Sequence, residues 1–219
     1  MAIDGPSGAG KSTVARALAA RLGVPYIDTG AMYRAIGLAA HRRGVRLPIE
    51  DASAVSAIAE ASRIELAPSP EGSRIILDGE DVSAEIRRPE ISAYASAVSA
   101  IPAVRRVLVV QQQRMGRERG GVMEGRDIGT KVFPETPFKF FLTADPAIRA
   151  DRRARELVGR GTPQSYDDVL RDMQKRDADD SSRPDSPLTL DGRYEVVDSS
   201  GRPVEAVIDD IEQRVRRGI

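Results

Sequence analysis

The residues best suited to chemistry are the first thirteen, Met1-Ala2-Ile3-Asp4-Gly5-Pro6-Ser7-Gly8-Ala9-Gly10-Lys11-Ser12-Thr13. Gly5 to Ser12 satisfy G-x-x-x-x-G-K-[ST] at every specified position, with a further glycine at Gly8. Glycines let the backbone curl until several N–H groups face one anion. Lys11 can reach the outer phosphates of a nucleoside triphosphate, and the Ser12 hydroxyl can ligate Mg2+. The stretch Gly5, Pro6, Ser7, Gly8, Ala9, Gly10, Lys11, Ser12 and Thr13 is therefore expected to hold a triphosphate. Val14, Leu18 and Leu22, with Ala15, Ala17 and Ala19, predict a following helix with one apolar face, whose positive dipole end points at the same place.

Three further clusters carry chemistry. Asp28-Thr29-Gly30-Ala31-Met32-Tyr33-Arg34 places a hydroxyl, a phenol and a guanidinium within about two helical turns. Capping by Asp28 or Thr29 and packing of Tyr33 explain the same residues without excluding a ligand. Glu124-Gly125-Arg126-Asp127-Ile128-Gly129-Thr130 sets an arginine and a carboxylate at the end of an apolar strand, which packing explains poorly. Arg176-Asp177-Ala178-Asp179-Asp180-Ser181-Ser182-Arg183 reads equally as a solvated helix end or a phosphate clamp, and Arg152, Arg153 and Arg155, taken alone, as a surface run.

A triphosphate loop leaves open what receives the phosphate. A guanine-reading N-K-x-D is absent from the sequence, which argues against a GTPase, and a motor needs more chain. A small-molecule kinase and a non-catalytic nucleotide-binding regulator remain.

The elements that must position these groups alternate. Strands are predicted at Met1–Asp4, Val24–Asp28, Gly121–Glu124, Phe138–Thr143 and Tyr194–Asp198. Helices are predicted at Lys11–Leu22, Gly30–Arg43, Asp145–Val158, Ser165–Asp179 and Val204–Arg217. Such alternation implies an α/β fold with a five-stranded parallel sheet and helices on both faces. The middle departs from it. Ser62–Ala67, Ser73–Leu77 and a short segment near Val82, joined by the Pro68–Gly72 and Asp78–Glu80 turns, predict a small antiparallel insert. Helices follow at about Pro89–Ala100 and Pro102–Arg119, each with proline in its first turn. Gly159–Gln164 is expected as a flexible joint, Leu47–Glu50 as another, and Asp177–Pro187 as a loop.

The chain has 219 residues, 41% hydrophobic and 30% charged, enough for one domain with a good core. Formal net charge is zero, so no bulk attraction to nucleic acid or membrane is expected. There are no cysteines, which excludes disulfides and thiolate sites and fits the cytoplasm. No apolar run approaches a membrane span, and an opening directly on a strand and loop leaves no expected signal peptide. A monomer is expected. The first strand is short for a central one, which predicts a cost in stability.

The phosphate loop, Asp28–Arg34, Gly79-Glu80-Asp81-Val82-Ser83, Glu85-Ile86-Arg87, Gly125-Arg126-Asp127-Ile128-Gly129-Thr130 and Arg176-Asp177 together resemble the bacterial cytidylate kinases, within the nucleoside monophosphate kinase family, over essentially the whole chain. The resemblance implies phosphorylation of CMP and dCMP by ATP with Mg2+, on a P-loop fold with a CMP-binding insert and a short lid. Residues 1–47 and 120–219 form the implied core, 48–119 the insert with its helices, and 152–165 the lid. By the same resemblance Thr29, Tyr33 and Arg34 lie near the CMP phosphate, and Arg126 and Arg183 bind it. Ser96, Arg105 and Asp127 read cytosine, and Arg176 and Asp180 lie near the ribose. Arg152 and Arg153 supply lid cations to ATP. Lys11, Arg126, Arg152, Arg153 and Arg183 form the implied catalytic set. Glu124 stands where related kinases often carry Asp, as a partner of Mg2+ through water. A kinase of broader UMP and CMP range stays open beside the regulator.

Overall fold

Four helices begin where a side chain caps them. Asp28 accepts from Ala31 N–H, Asp51 from Ser53 and Ala54 N–H, Asp145 from Ala147 N–H, and Ser165 from Asp168 N–H. Three carry proline in their first turn, where its missing N–H costs nothing. The computed structural model describes residues 1–69 and 72–218. In chain order the elements are β1 (Ala2–Asp4), α1 (Lys11–Leu22), β2 (Tyr26–Asp28), α2 (Thr29–Arg42), α3 (Ala52–Ala61), β3 (Ile64–Ser69), β4 (Gly72–Leu77) and β5 (Glu80–Asp81). A short 3-10 turn, Glu85–Arg87, leads into α4 (Pro89–Ser99), α5 (Pro102–Arg119) and β6 (Val122–Gly125). A single π-helical turn, Ile128–Val132, precedes β7 (Lys139–Thr143), α6 (Pro146–Gly159), α7 (Tyr166–Ser182), β8 (Glu195–Asp198) and α8 (Val204–Arg217).

The strands form a five-stranded parallel sheet in the order β2-β6-β1-β7-β8, and a three-stranded antiparallel sheet in the order β3-β4-β5. Placing β1 in the centre explains its composition. Ala2, Ile3 and Asp4 are all fully buried, between β6 and β7.

By packing, the chain divides into two compact units, Met1–Gly23 with Val122–Ile219, and Val24–Gly121. In the first, α1 lies on β6 and α8, and α6 packs along α7. Ile3, Leu18, Phe140, Leu142 and Ile211 are fully buried there, while Ala150, Leu157, Val169 and Met173 seal α6 to α7. In the second, α2 packs along α4, and α3 along α5. One core joins Met32, Ile36 and Leu38 to Ile75, Ile86, Ile91 and Leu108.

Two readings of the sequence need correction. Asp177–Ser182 is the last part of α7 and not loop, because Asp180 is buried and ion-paired to Arg126 and Arg183, which anchors a turn of weak helix formers. Ala52–Ala61 is a helix the sequence pattern did not announce. Its Asp51 cap and buried Val55, Ile58 and Ala59 make it, and its end at Ser62 moves the start of β3 to Ile64. Of the expected Pro68–Gly72 turn, Pro70 and Glu71 lie outside the described residues.

Candidate active site

In the first unit the phosphate loop runs from the buried end of β1 to the start of α1. A Cβ on Gly5 would lie 2.0 Å from the Leu142 carbonyl oxygen, so only glycine lets the chain cross β7 here. Lys11 is 7% exposed, and its Nζ donates to the Pro6 carbonyl at 2.7 Å, folding the loop on itself. Burial pushes the Lys11 ammonium down to about 7. The positive charges of Arg126 and Arg176 add to this, and Glu124 and Asp4 oppose it. Ser12 and Thr13 are exposed on the first turn of α1, while Glu124 is buried in β6.

Arg126 and Arg183 converge on one carboxylate. Arg126 Nε donates to Asp180 at 2.8 Å, and Arg183 pairs with its other oxygen. Burial alone would raise the Asp180 carboxyl, but the charges of Arg126, Arg183 and Arg176 outweigh it and hold it below its ordinary value. Three arginines, a lysine and three buried carboxylates, Asp4, Glu124 and Asp180, thus share one electrostatic neighbourhood. Asp127 is buried at the end of the same Glu124–Asp127 segment.

That segment is held by a residue the sequence reading passed over. Asp4 accepts from Ile128 N–H at 3.0 Å, from Gly129 N–H at 2.8 Å and from the Tyr194 hydroxyl at 2.6 Å. Burial lifts its carboxyl to about 6 against the lowering effect of those three donors, and Asp127 repels its charge. The lone signal in the sequence was a carboxylate closing an apolar strand directly before the loop.

The lid candidates are engaged within this unit. Arg152 donates to Ser199 Oγ at 2.9 Å and to the Ser199 carbonyl at 2.7 Å, and Ser199 Oγ donates to the Ala9 carbonyl of the loop at 3.2 Å. Arg153 pairs with Glu156 at 2.7 Å.

In the second unit, Tyr33 and Arg105 are brought together, the guanidinium carbon 5.3 Å from the ring centroid. Arg105 is 2% exposed and donates to the Ser99 carbonyl at 3.2 Å. Arg34 turns to α4, donating to Ser92 Oγ at 2.9 Å and to the Ile86 carbonyl at 3.4 Å. Ser92 is a further residue that sequence reasoning missed. Ser96 is half-buried on α4, and its carbonyl accepts from Ser99 Oγ at 2.8 Å. Thr29 is buried at the start of α2, beside the capping Asp28.

A family model described as cytidylate kinase matches residues 1–217. The chain belongs to the cytidylate kinase family. It is 48% identical over 217 residues to the cytidylate kinase of Caldanaerobacter subterraneus subsp. tengcongensis, covering 99% of this chain and 94% of that relative. It is 48% identical over 219 residues to the cytidylate kinase of Pelotomaculum thermopropionicum, covering 100% and 96%. Against the cytidylate kinase of Mycolicibacterium paratuberculosis the identity is 46% over 218 residues, covering 99% and 95%. The crystal structure of an uncharacterized protein from Eubacterium ventriosum shares the fold, with a TM-score of 0.54 at 13% identity, covering 99% of this chain and 97% of that one. Membership of the cytidylate kinase family makes the protein an enzyme, a kinase that takes ATP.

Among the described residues no group of three or more His, Cys, Asp or Glu side chains could hold a metal ion by itself. Mg2+ keeps several waters and is held largely by the nucleotide's own phosphates, with one or two protein oxygens. An exposed Ser12 hydroxyl and a buried Glu124 carboxylate electrostatically coupled to Lys11 fit that donor set.

Proposed function

We propose that this protein transfers the γ-phosphoryl group of ATP to the phosphate of CMP or dCMP, yielding ADP with CDP or dCDP. The observation that carries the reading is the convergence of Arg126 and Arg183 on Asp180, within the charge field of Lys11 and Arg176. These arginines hold their planar donors ready on a carboxylate, the geometry that also grips a phosphate dianion.

The nucleophile is a phosphate oxygen, anionic near neutral pH, so no strong general base is needed. The barrier is the repulsion between two polyanions brought in line. Lys11 offsets charge on the donor phosphates, and Arg126 and Arg183 offset it on the acceptor. Ser12, and Glu124 through water, would hold Mg2+, which when bound would supply charge neutralisation to the donor phosphates. Thr29, Tyr33 and Arg34 serve the acceptor phosphate, and Arg176 and Asp180 the ribose. Asp127 accepts the cytosine amino protons, with Ser96 and Arg105 completing the base contacts. Residues 48–119 act as the acceptor-binding insert and 152–165 as a lid that excludes water and brings Arg152 and Arg153 to ATP. The protein acts as a monomer on free nucleotides in the cytoplasm.

A coupled ADP-release assay with CMP, dCMP, UMP, AMP and GMP in turn tests the reading. CMP and dCMP should exceed AMP and GMP by orders of magnitude. AMP or GMP as best acceptor, or no acceptor-stimulated turnover, would reject it.

A further inference from the structure

Ser7, in the first half of the phosphate loop, has both of its peptide groups occupied by side chains from outside the loop. Its N–H donates to Asp177 Oδ1 of α7 at 3.0 Å, and its carbonyl accepts from Arg149 Nη1 of α6 at 2.8 Å. The same Arg149 pairs with the other Asp177 oxygen, and its Nε donates to the Ala144 carbonyl at 3.0 Å. Arg149 is 7% exposed and Asp177 half-buried, so these contacts are largely shielded from solvent and are not a screened surface pair. The neighbouring Gly8 presses on the same two helices. A Cβ there would lie 2.7 Å from Met173 Cε and 3.0 Å from the Arg149 carbonyl oxygen. One helical turn along α6, Arg152 reaches Ala9 through Ser199.

The geometry points to Arg149 and Asp177 as positioning residues that set the shape of the phosphate loop and tie it to the base of the α6–α7 hairpin. Neither side chain is assigned to substrate. The peptide groups on either side of Ser7 are each held by one of these side chains, so neither plane can rotate without breaking a bond. The loop amides after it then take their direction from a fixed point. An ion pair suits this task because each member also makes a bond to the loop backbone, and losing Asp177 leaves the Arg149 guanidinium buried without its counter-charge. Because α6 carries Arg152 and Arg153, and α7 carries Arg176 and Asp180 with Arg183 directly after it, one contact registers the donor loop against the cations of this hairpin. This role rests on the phosphoryl-transfer reading above.

The experiment compares Asp177→Ala, Asp177→Asn and Arg149→Lys with wild type in two readouts. One is steady-state kinetics with ATP and CMP varied separately. The other is calorimetric binding of a non-hydrolysable ATP analogue, which needs no acceptor. Asp177→Ala should raise KM for ATP and weaken analogue binding, each on the order of tenfold, with KM for CMP within about twofold. Asp177→Asn keeps an acceptor for the Ser7 N–H and should recover much of the analogue affinity. Arg149→Lys, which lacks the fork to reach Ser7, Ala144 and Asp177 together, should not. Unchanged analogue binding in folded Asp177→Ala, or equal rises in both KM values, would overturn the proposal. Tighter analogue binding would overturn it too, and would make the carboxylate an anion that nucleotide displaces. Wild type that binds the analogue but turns over no CMP would reject the functional reading while leaving the loop test intact.

Discussion

Asp180, buried in the last turn of α7, accepts a hydrogen bond at 2.8 Å from Arg126, which follows β6 fifty-four residues earlier in the chain. The pair fixes the direction of a guanidinium that is otherwise free to rotate about four side-chain bonds. Arg126→Ala should therefore lower kcat/KM for CMP about a hundredfold, ~3 kcal/mol of lost transition-state stabilisation. KM for ATP should move little. Steady-state kinetics decide it, and an equal loss on the ATP side would remove Arg126 from the acceptor phosphate.

Lys11 carries a pH signature. Burial and the arginines bring its ammonium down to about 7 in the free protein, and bound phosphates should restore it. ATP binding should then take up protons at pH 8 and weaken as pH rises from 7 to 9. Calorimetry in two buffers of different ionisation enthalpy reads the uptake directly. Lys11→Ala should abolish both uptake and turnover while leaving the melting temperature near wild type. Proton release on binding would contradict this assignment.

Asp127→Ala should cost CMP more than UMP. A buried cytosine amino group left without an acceptor loses about 1–3 kcal/mol, roughly 5- to 150-fold in kcat/KM. Uracil presents a carbonyl there and loses nothing. Parallel losses for both acceptors would make Asp127 a structural residue.

Asp4 predicts a pH-dependent stability of unusual sign. Its folded value, about 6, lies above the ordinary 3.8, so the native state holds the proton more tightly than the unfolded chain. The stability it contributes is full below pH 4 and is lost as pH rises through 6, by at most about 3 kcal/mol. Denaturant unfolding of wild type and Asp4→Asn from pH 4 to 7 isolates it. The wild-type value should fall relative to the variant across that window and then level. A flat or rising difference would show that Asp4 is ionised throughout.

Much of this molecule is local and was legible as such. The phosphate loop, the alternating strands and helices, and the prolines that open α4, α5 and α6 depend on residues within a few positions of one another. The periodicity and capping chemistry of a short segment are enough to mark them. Lys11–Leu22 and Val204–Arg217 form where that patterning places them. Arg126 was visible as a candidate because an arginine and a carboxylate closing an apolar strand are poorly explained by packing, and Asp180 only through the family resemblance. What the tertiary structure alone decided is which of these groups meet. Asp4 joins Ile128, Gly129 and Tyr194, and Ser7 joins Arg149 and Asp177, across 124 to 190 residues of chain. The end of α7 shows the same limit from the other side. Asp179-Asp180-Ser181-Ser182 has weak helix propensity and reads as loop until the two half-buried arginines that hold the buried Asp180 are known. Propensity is a property of neighbours in sequence. Ion pairs shielded from solvent are a property of neighbours in space, and in this protein they hold both the last turn of α7 and the peptide groups of Ser7 in the glycine-rich loop.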